Sequence, residues 1–344
     1  MPSKITFRTI ESESTFLDPR KGYEPTTIRF QVRMDPLTGR TGHFSHFGRI
    51  TPQKLNLESY LRPEIKGFCP FCLENRETVT PKFPKEILPQ GRVSRGEAML
   101  VPNLFPYEVY SGIVIMTDDH MVSLSAFTEK RLSDALMIGS EFLKRTRTVN
   151  PSLPYHLMTW NYMPPSGGGL VHPHQQYFAT EYPGNQFMDE LRASEKFYET
   201  EGRTYWLMLI EEEMRQSDRF VGQTGNAYWM ASFVSFSVLG DILCVFPDVF
   251  SIDEISDGHI HDLVSGLTNV FRYYESNGVC SFNMSLFFGP HGQRSFPCHM
   301  RIAPRTFLNT RDWASDMNFF QAILAEPICV TLPEVLCREA RKFF

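Results

Sequence analysis

The sequence predicts an α+β fold made by internal duplication, with an antiparallel sheet flanked by helices. Two observations carry that prediction. Apolar residues recur at helical spacing over 126–148 (Leu132, Ala135, Leu136, Ile138, Phe142, Leu143), and a second helical stretch spans about 258–276. Around these helices the order strand, strand, helix, strand, strand occurs twice. The charged helical stretch 186–217 separates the copies, so residues 1–185 form an N-terminal half and 186–344 a C-terminal half.

The bulk composition is that of an ordinary globular chain. It has 344 residues, 42% hydrophobic and 21% charged, enough to bury a sizeable core. A net charge of −5 offers no footprint for nucleic acid. No apolar run approaches the roughly 18 residues a membrane span needs, and residues 1–8 lack the apolar core of a signal peptide. Seven cysteines, an odd number in a long chain, do not form a disulfide framework. The expected compartment is the reducing cytoplasm.

Taken in order, residues 1–30 read as an irregular arm or an edge strand. The alternation over 28–34 reads as a strand, and Asp35-Pro36-Leu37-Thr38-Gly39 as a turn. Cys69-Pro70-Phe71-Cys72 has the spacing to grip a metal ion, although C-x-x-C is also found in redox sites and by chance. Residues 113–120 form a strand that runs into a turn ending at His120. In the second copy, residues 226–247 give two strands about Gly240-Asp241, and strands at 281–289 and 298–304 follow its helix. The tail, 311–344, reads as one or two short helices around Pro327 and Pro333.

The chemistry concentrates in residues 159–178. There Gly167, Gly168 and Gly169 precede His172-Pro173-His174-Gln175-Gln176. If this segment is extended, His172, His174 and Gln176 share one face. The three glycines can present backbone N–H groups from positive-φ conformations, which suits a phosphate. An imidazole, an amide and such a nest together make a phosphoryl-transfer site. His43, His46, His156, His259 and His261 lack comparable neighbours and read as surface or turn residues.

The run His172 to Gln176 resembles the active-site motif of the galactose-1-phosphate uridylyltransferase-like family, the nucleotidyltransferase branch of the histidine-triad superfamily. The resemblance implies a duplicated histidine-triad-type fold with one catalytic half and a homodimeric assembly. It also implies a nucleotidyl intermediate on His174. Gln176 stands where the superfamily's hydrolases have a third histidine. Glutamine can bond a phosphate oxygen but is neither acid nor base near neutral pH, so transfer to a phosphate acceptor is favoured over hydrolysis.

The same resemblance orders Cys69, Cys72, His120 and His172 as ligands of a structural metal. Two thiolates and two imidazoles suit Zn²⁺. It further implies substrate contacts from Arg40 and Arg49 after the Asp35 turn, from Asn103, and from Asn161 eleven residues before His172. The chain departs from the family at Leu104, where an aspartate is usual, at Gly169-Leu170-Val171, where Ser-Asn is expected, and at Gln175, where glycine is expected. In the second copy, Arg301 falls where a histidine would ligate a second metal; a guanidinium cannot. Cys298, His299 and His291 are then expected to be satisfied polar residues.

The implied function is transfer of a nucleoside monophosphate from a nucleoside diphosphate sugar to a sugar 1-phosphate, a step of carbohydrate metabolism. The alternatives are a phosphorylase of nucleoside diphosphate sugars or dinucleoside polyphosphates using inorganic phosphate, and a non-catalytic nucleotide-binding protein.

Overall fold

The computed structural model describes residues 5–45, 50–53, 61–62, 64, 67–309 and 314–344. Three strands open the chain: β1 (Arg8–Asp18), β2 (Glu24–Met34) and β3 (Thr41–Ser45). Of the two readings of this stretch the edge strand holds: β1 lies at the edge of a four-stranded sheet and pairs with β2 as a hairpin from Arg8↔Met34 to Asp18↔Glu24. Its turn is set by Asp18, whose carboxylate accepts from the Arg20 N–H at 2.9 Å, and by Gly22 and Tyr23, both at φ 66°.

The body is one ten-stranded sheet. Its first-half strands are β4 (Val93–Arg95), β5 (Ala98–Pro102), β6 (Tyr110–Ile115), β7 (Tyr155–Tyr162) and β8 (His174–Thr180). The second-half strands are β9 (Phe220–Thr224), β10 (Ala227–Ala231), β11 (Ile242–Val245), β12 (Phe282–Phe288) and β13 (His299–Pro304). They lie in the order β4-β5-β6-β8-β7-β12-β13-β11-β10-β9, and every pairing is antiparallel. The second half thus reads as the first in reverse across the sheet. The two meet at β7 and β12, where Thr159 sits opposite Ser285 and the Trp160↔Met284 and Met158↔Leu286 pairs flank it.

Among the described residues, five helices complete the halves: α1 (Leu73–Val79), α2 (Glu129–Val149), α3 (Asn185–Glu201), α4 (Tyr205–Gln216) and α5 (Asp257–Ser276). Helices α2 and α5 cover one sheet face, where Leu100, Val114, Trp160, Ile242, Met284 and Ile302 are all buried in one cluster with Leu136 and Leu267. Period two sends the intervening residues to the other face. There the second half is covered by α3 and α4, through Phe187, Leu191 and Trp206 against Met230, Leu243 and Val245. The first half is covered by the Cys69–Cys72 segment against Met99, Ile113 and Ile115.

A short antiparallel pair, β14 (Phe307–Asn309) with β15 (Ala314–Ser315), leads to the tail. There α6 (Phe319–Ala322) and α7 (Pro333–Ala340) are the expected short helices, while β16 (Ile328–Cys329) joins β3 in parallel. Among the described residues, no helix is long and apolar enough to cross a membrane. All seven cysteines lie among the described residues, and none is in a disulfide.

Candidate active site and metal centre

The candidate metal centre assembles from three separate stretches. Cys72 ends the C-x-x-C turn and begins α1, and the Asn75 side chain holds the turn by donating to the Cys69 carbonyl at 2.8 Å. His120 comes from the turn after β6, which Arg76 of α1 ties down through Asp118 at 2.8 Å. His172 precedes β8. Their four ligand atoms lie within 4.8 Å of one another, and all four residues are buried.

The distances fit a tetrahedral ion. Zn–S near 2.3 Å and Zn–N near 2.0–2.1 Å place neighbouring ligand atoms about 3.6 Å apart. The Cys72 Sγ–His120 Nδ1, Cys69 Sγ–His172 Nδ1 and Cys72 Sγ–His172 Nδ1 separations are 3.3, 3.7 and 3.7 Å. His172 Nε2 lies 2.8 Å from the Thr117 carbonyl, so its proton resides there and Nδ1 keeps its lone pair for a metal. Burial pushes the His172 pKa down to about 4, which keeps that ligand neutral. Nothing in the sequence marks Thr117 for this task, because its contribution is a backbone carbonyl.

Strand pairing begins at His174, so His172 is a buried residue of the preceding turn, and the shared-face expectation narrows to His174 and Gln176. His174 Nδ1 donates to the His172 carbonyl at 2.8 Å. This fixes the tautomer and leaves the lone pair on Nε2. Burial lowers the His174 pKa against a smaller upward pull from that carbonyl, and the ring is 5.1 Å from Phe71. Gln176 sits opposite Thr159 of β7 on the same sheet face.

Asn161 lies two residues further along β7, and its Oδ1 accepts from Asn283 Nδ2 at 2.7 Å. Asn283 also donates to the Ser166 carbonyl at 2.9 Å and accepts from Arg305 at 2.7 Å. Asn283 and Arg305 escaped the sequence reading; the available signal was the polar phase of β12, whose burial alternates along its whole length.

The glycine loop differs from the expectation. Only Gly167 has positive φ, at 84°, and its N–H is already bonded to the Pro164 carbonyl at 2.9 Å. A three-residue nest is therefore absent. Gly168 is needed for close approach: a Cβ there would be 3.1 Å from the Asn161 carbonyl oxygen.

Arg40 is engaged by Gln186 and Asp189 of α3, and it lines a cavity of about 310 Å³ with Asn283 and Arg305. Asn103 serves its own turn, its Oδ1 accepting from the Phe105 N–H at 3.0 Å. Arg49 and His46 lie outside the described residues. His156, expected at the surface, is instead 2% exposed on β7, facing the helices with Trp160.

No protein-family model matches the chain. A protein of Archaeoglobus fulgidus described as uncharacterized is 28% identical over 320 residues, covering 91% of this chain and 92% of that one. Among solved structures, a GalT-like protein of Arabidopsis thaliana has a TM-score of 0.69 at 18% identity, covering 90% of this chain and 98% of the other. An ADP-glucose phosphorylase of Arabidopsis thaliana, solved with ADP-glucose bound, has a TM-score of 0.69 at 17% identity over 91% and 98%. A uridylyltransferase has a TM-score of 0.65 at 19% identity over 91% and 97%. The chain has the uridylyltransferase fold.

Within the uridylyltransferase fold, the second half holds a closed counterpart of the site. Ile115 sits opposite His174 and Val245 opposite His299, so His299 corresponds to His174 and Arg301 to Gln176. His299 is fully buried. Its Nε2 is 3.3 Å from Glu190, and its ring stacks on Trp206 at 3.9 Å. Arg301 is bound by Asp241 at 2.7 Å and Ser232 at 2.8 Å. Cys298 is buried and its thiol is pushed well up by desolvation, while the exposed His291 pairs with Asp253 at 3.0 Å. Among the described residues these groups gather no second metal cluster.

Proposed function

We propose that the protein is a nucleotidyltransferase acting by double displacement on a nucleoside diphosphate sugar. The observation that carries this is the His174 Nδ1–His172 carbonyl bond, which presents a neutral Nε2 lone pair beside Gln176. Nε2 attacks the α-phosphorus, and the bond from that phosphorus to the bridging oxygen breaks, releasing a sugar 1-phosphate. A phosphate oxygen of the acceptor then attacks the same phosphorus, and the P–N bond breaks to return neutral His174. Gln176, Asn161 and the glycine-loop amides not used within the loop stabilise charge on the phosphoryl oxygens. We assign Arg40 and Arg49 to the substrate phosphates, Arg40 from the cavity it shares with Asn283 and Arg305, and Asn103 to the ribose and base.

Cys69, Cys72, His120 and His172 would hold one Zn²⁺ with a structural role. Bound there, the ion would anchor the turn that precedes the nucleophile's strand, and four protein ligands leave no position for substrate. Residues 1–185 do the chemistry in this reading, and 186–344 buttress it.

The ADP-glucose in a solved structure of the same fold supports a nucleotide-sugar donor. The acceptor is a sugar 1-phosphate. Inorganic phosphate is the second reading, favoured by Leu170, which packs on the apolar cluster beside the metal ligands and offers no hydroxyl to a sugar phosphate. The test is to incubate the protein with labelled donor alone. Acid-labile, base-stable nucleotide on His174 is expected, and each acceptor is then tried for its discharge. Absence of label with any nucleoside diphosphate sugar overturns the reading.

A further inference from the structure

Behind the candidate nucleophile lies a polar pair that the fold does not require. Gln175 and Tyr177 project from β8 toward the helices and are 0% and 1% exposed. The Tyr177 hydroxyl donates to Gln175 Oε1 at 2.7 Å and lies 3.3 Å from the Ala135 carbonyl of α2. The ring reaches the helix only because residue 139 is glycine; a Cβ there would fall 1.9 Å from the Tyr177 ring. Gln175 Nε2 has no hydrogen-bond partner among the described residues. Burying such an amide is unfavourable, so some other requirement keeps it there.

The second half shows what the fold alone accepts. By the same register Met300 corresponds to Gln175 and Ile302 to Tyr177, and both are fully buried. The halves also differ in how the strand is held. β13 pairs with β12 as far as His299, opposite Phe287, so its start has a neighbour on each side. β8 leaves β7 after Gln176, opposite Thr159, so His174 and Gln175 are paired only with β6. Where one ladder ends, the polar pair begins.

We propose that Gln175 and Tyr177 are positioning residues that brace the start of β8, paired on one side only, against α2 and so aim the His174 ring, a role that rests on His174 being the nucleophile. The brace replaces the missing β7 ladder from behind, and leaves the opposite face of the strand open to substrate. An apolar pair would pack as well but would hold the strand less strictly, because dispersion contacts are not directional.

The test is the double variant Gln175→Met/Tyr177→Phe, which preserves volume and removes both polar partners. Its melting temperature should match or exceed that of the wild type, since replacing both members of a buried pair by apolar groups of similar shape is near neutral. Two readouts then report positioning. In ¹⁵N-histidine spectra the wild-type His174 should be a single Nδ1–H tautomer with slow solvent exchange, and the variant should show faster exchange or mixed tautomers. Single-turnover labelling by saturating donor should fall at least tenfold, with the donor Kd unchanged within twofold.

An unchanged His174 signal overturns the inference, whatever the rate. If the wild type takes no label, the assignment of His174 as nucleophile fails, while the spectra still decide whether the brace acts. Tyr177→Phe alone gives the same readouts if the double variant does not fold.

Discussion

His174 and His299 occupy the same position of one structural repeat in opposite surroundings. Each Nδ1 meets the carbonyl two residues before it, at 2.8 Å from His172 and 3.0 Å from Pro297. Each opens the second strand after its half's long helix, β8 after α2 and β13 after α5. The difference lies at Nε2: in His299 it faces Glu190 under the Trp206 ring, whereas in His174 it has no protein partner among the described residues. One imidazole is sealed into a core and the other is left able to react.

The first prediction concerns that open nitrogen. His174→Ala should abolish both nucleotide labelling and turnover, measured with labelled donor before and after acceptor is added. Gln176→Ala should label about 100-fold more slowly, since one charge-stabilising hydrogen bond in such a site is worth about 3 kcal/mol. Near wild-type exchange by His174→Ala would rule out the covalent route.

Gln176→His tests the preference for transfer. It places an acid–base group where the amide stood, so release of free nucleoside monophosphate to water should rise relative to transfer. The ratio of the two products, read by chromatography, is the measurement. A ratio equal to wild type would mean that Gln176 does not control the acceptor.

Metal analysis should find about one Zn²⁺ per chain, and Cys72→Ser should lose it together with several degrees of melting temperature. Chelation of the wild-type ion should do the same, reversibly on adding zinc. Folded protein prepared without any zinc, and as stable as the loaded form, would contradict the assignment.

Glu190 holds the closed counterpart together. It bonds Gln186 at 2.7 Å and His299 at 3.3 Å, and lies 3.6 Å from Arg301. Burial opposes its ionisation, but His299 and Arg301 outweigh that and hold its pKa below the ordinary value. Glu190→Leu leaves buried polar partners unmatched and should cost about 3–5 kcal/mol in denaturant unfolding. Loss of under 1 kcal/mol would show that the cluster is not holding the half together.

His156 predicts an acid limb of stability. Burial lowers its pKa to about 4, with Arg147 adding to that effect and Asp253 opposing it. A histidine held neutral in the folded state but free to charge near pH 6.5 when unfolded stabilises the fold above that pH. The contribution is lost as pH falls from about 6.5 to 4, up to ~3 kcal/mol. His156→Leu should flatten that part of the stability–pH curve, followed by denaturant titration at several pH values. An unchanged slope would locate the acid sensitivity elsewhere.

Local features of the chain already determine its duplication, helix positions and ligand types. Helical spacing places α2 and α5 within a few residues, because an apolar stripe at 3.6-residue period has only one way to face a sheet. Cys69, Cys72, His120 and His172 are legible as a set through the family resemblance, the C-x-x-C spacing alone being ambiguous, and the fold brings their ligand atoms within 4.8 Å of one another. Other properties depend on which strands become neighbours, and that only the tertiary structure decided. The pairing of β7 with β12 merges the two halves into one sheet and brings Asn283 to Asn161 across 122 residues of chain. The pairing of β1 with β2 over their whole length was not legible, because these exposed strands carry mostly polar residues. His156 was misplaced for the complementary reason, as a polar residue on the buried phase of a strand. The glycine loop looked like a nest by composition, yet a local bond to Pro164 takes up the Gly167 amide. His174 and His299 stand in nearly the same local backbone setting, and the covering of α3 and α4 over His299 is what seals its Nε2 against Glu190 and Trp206.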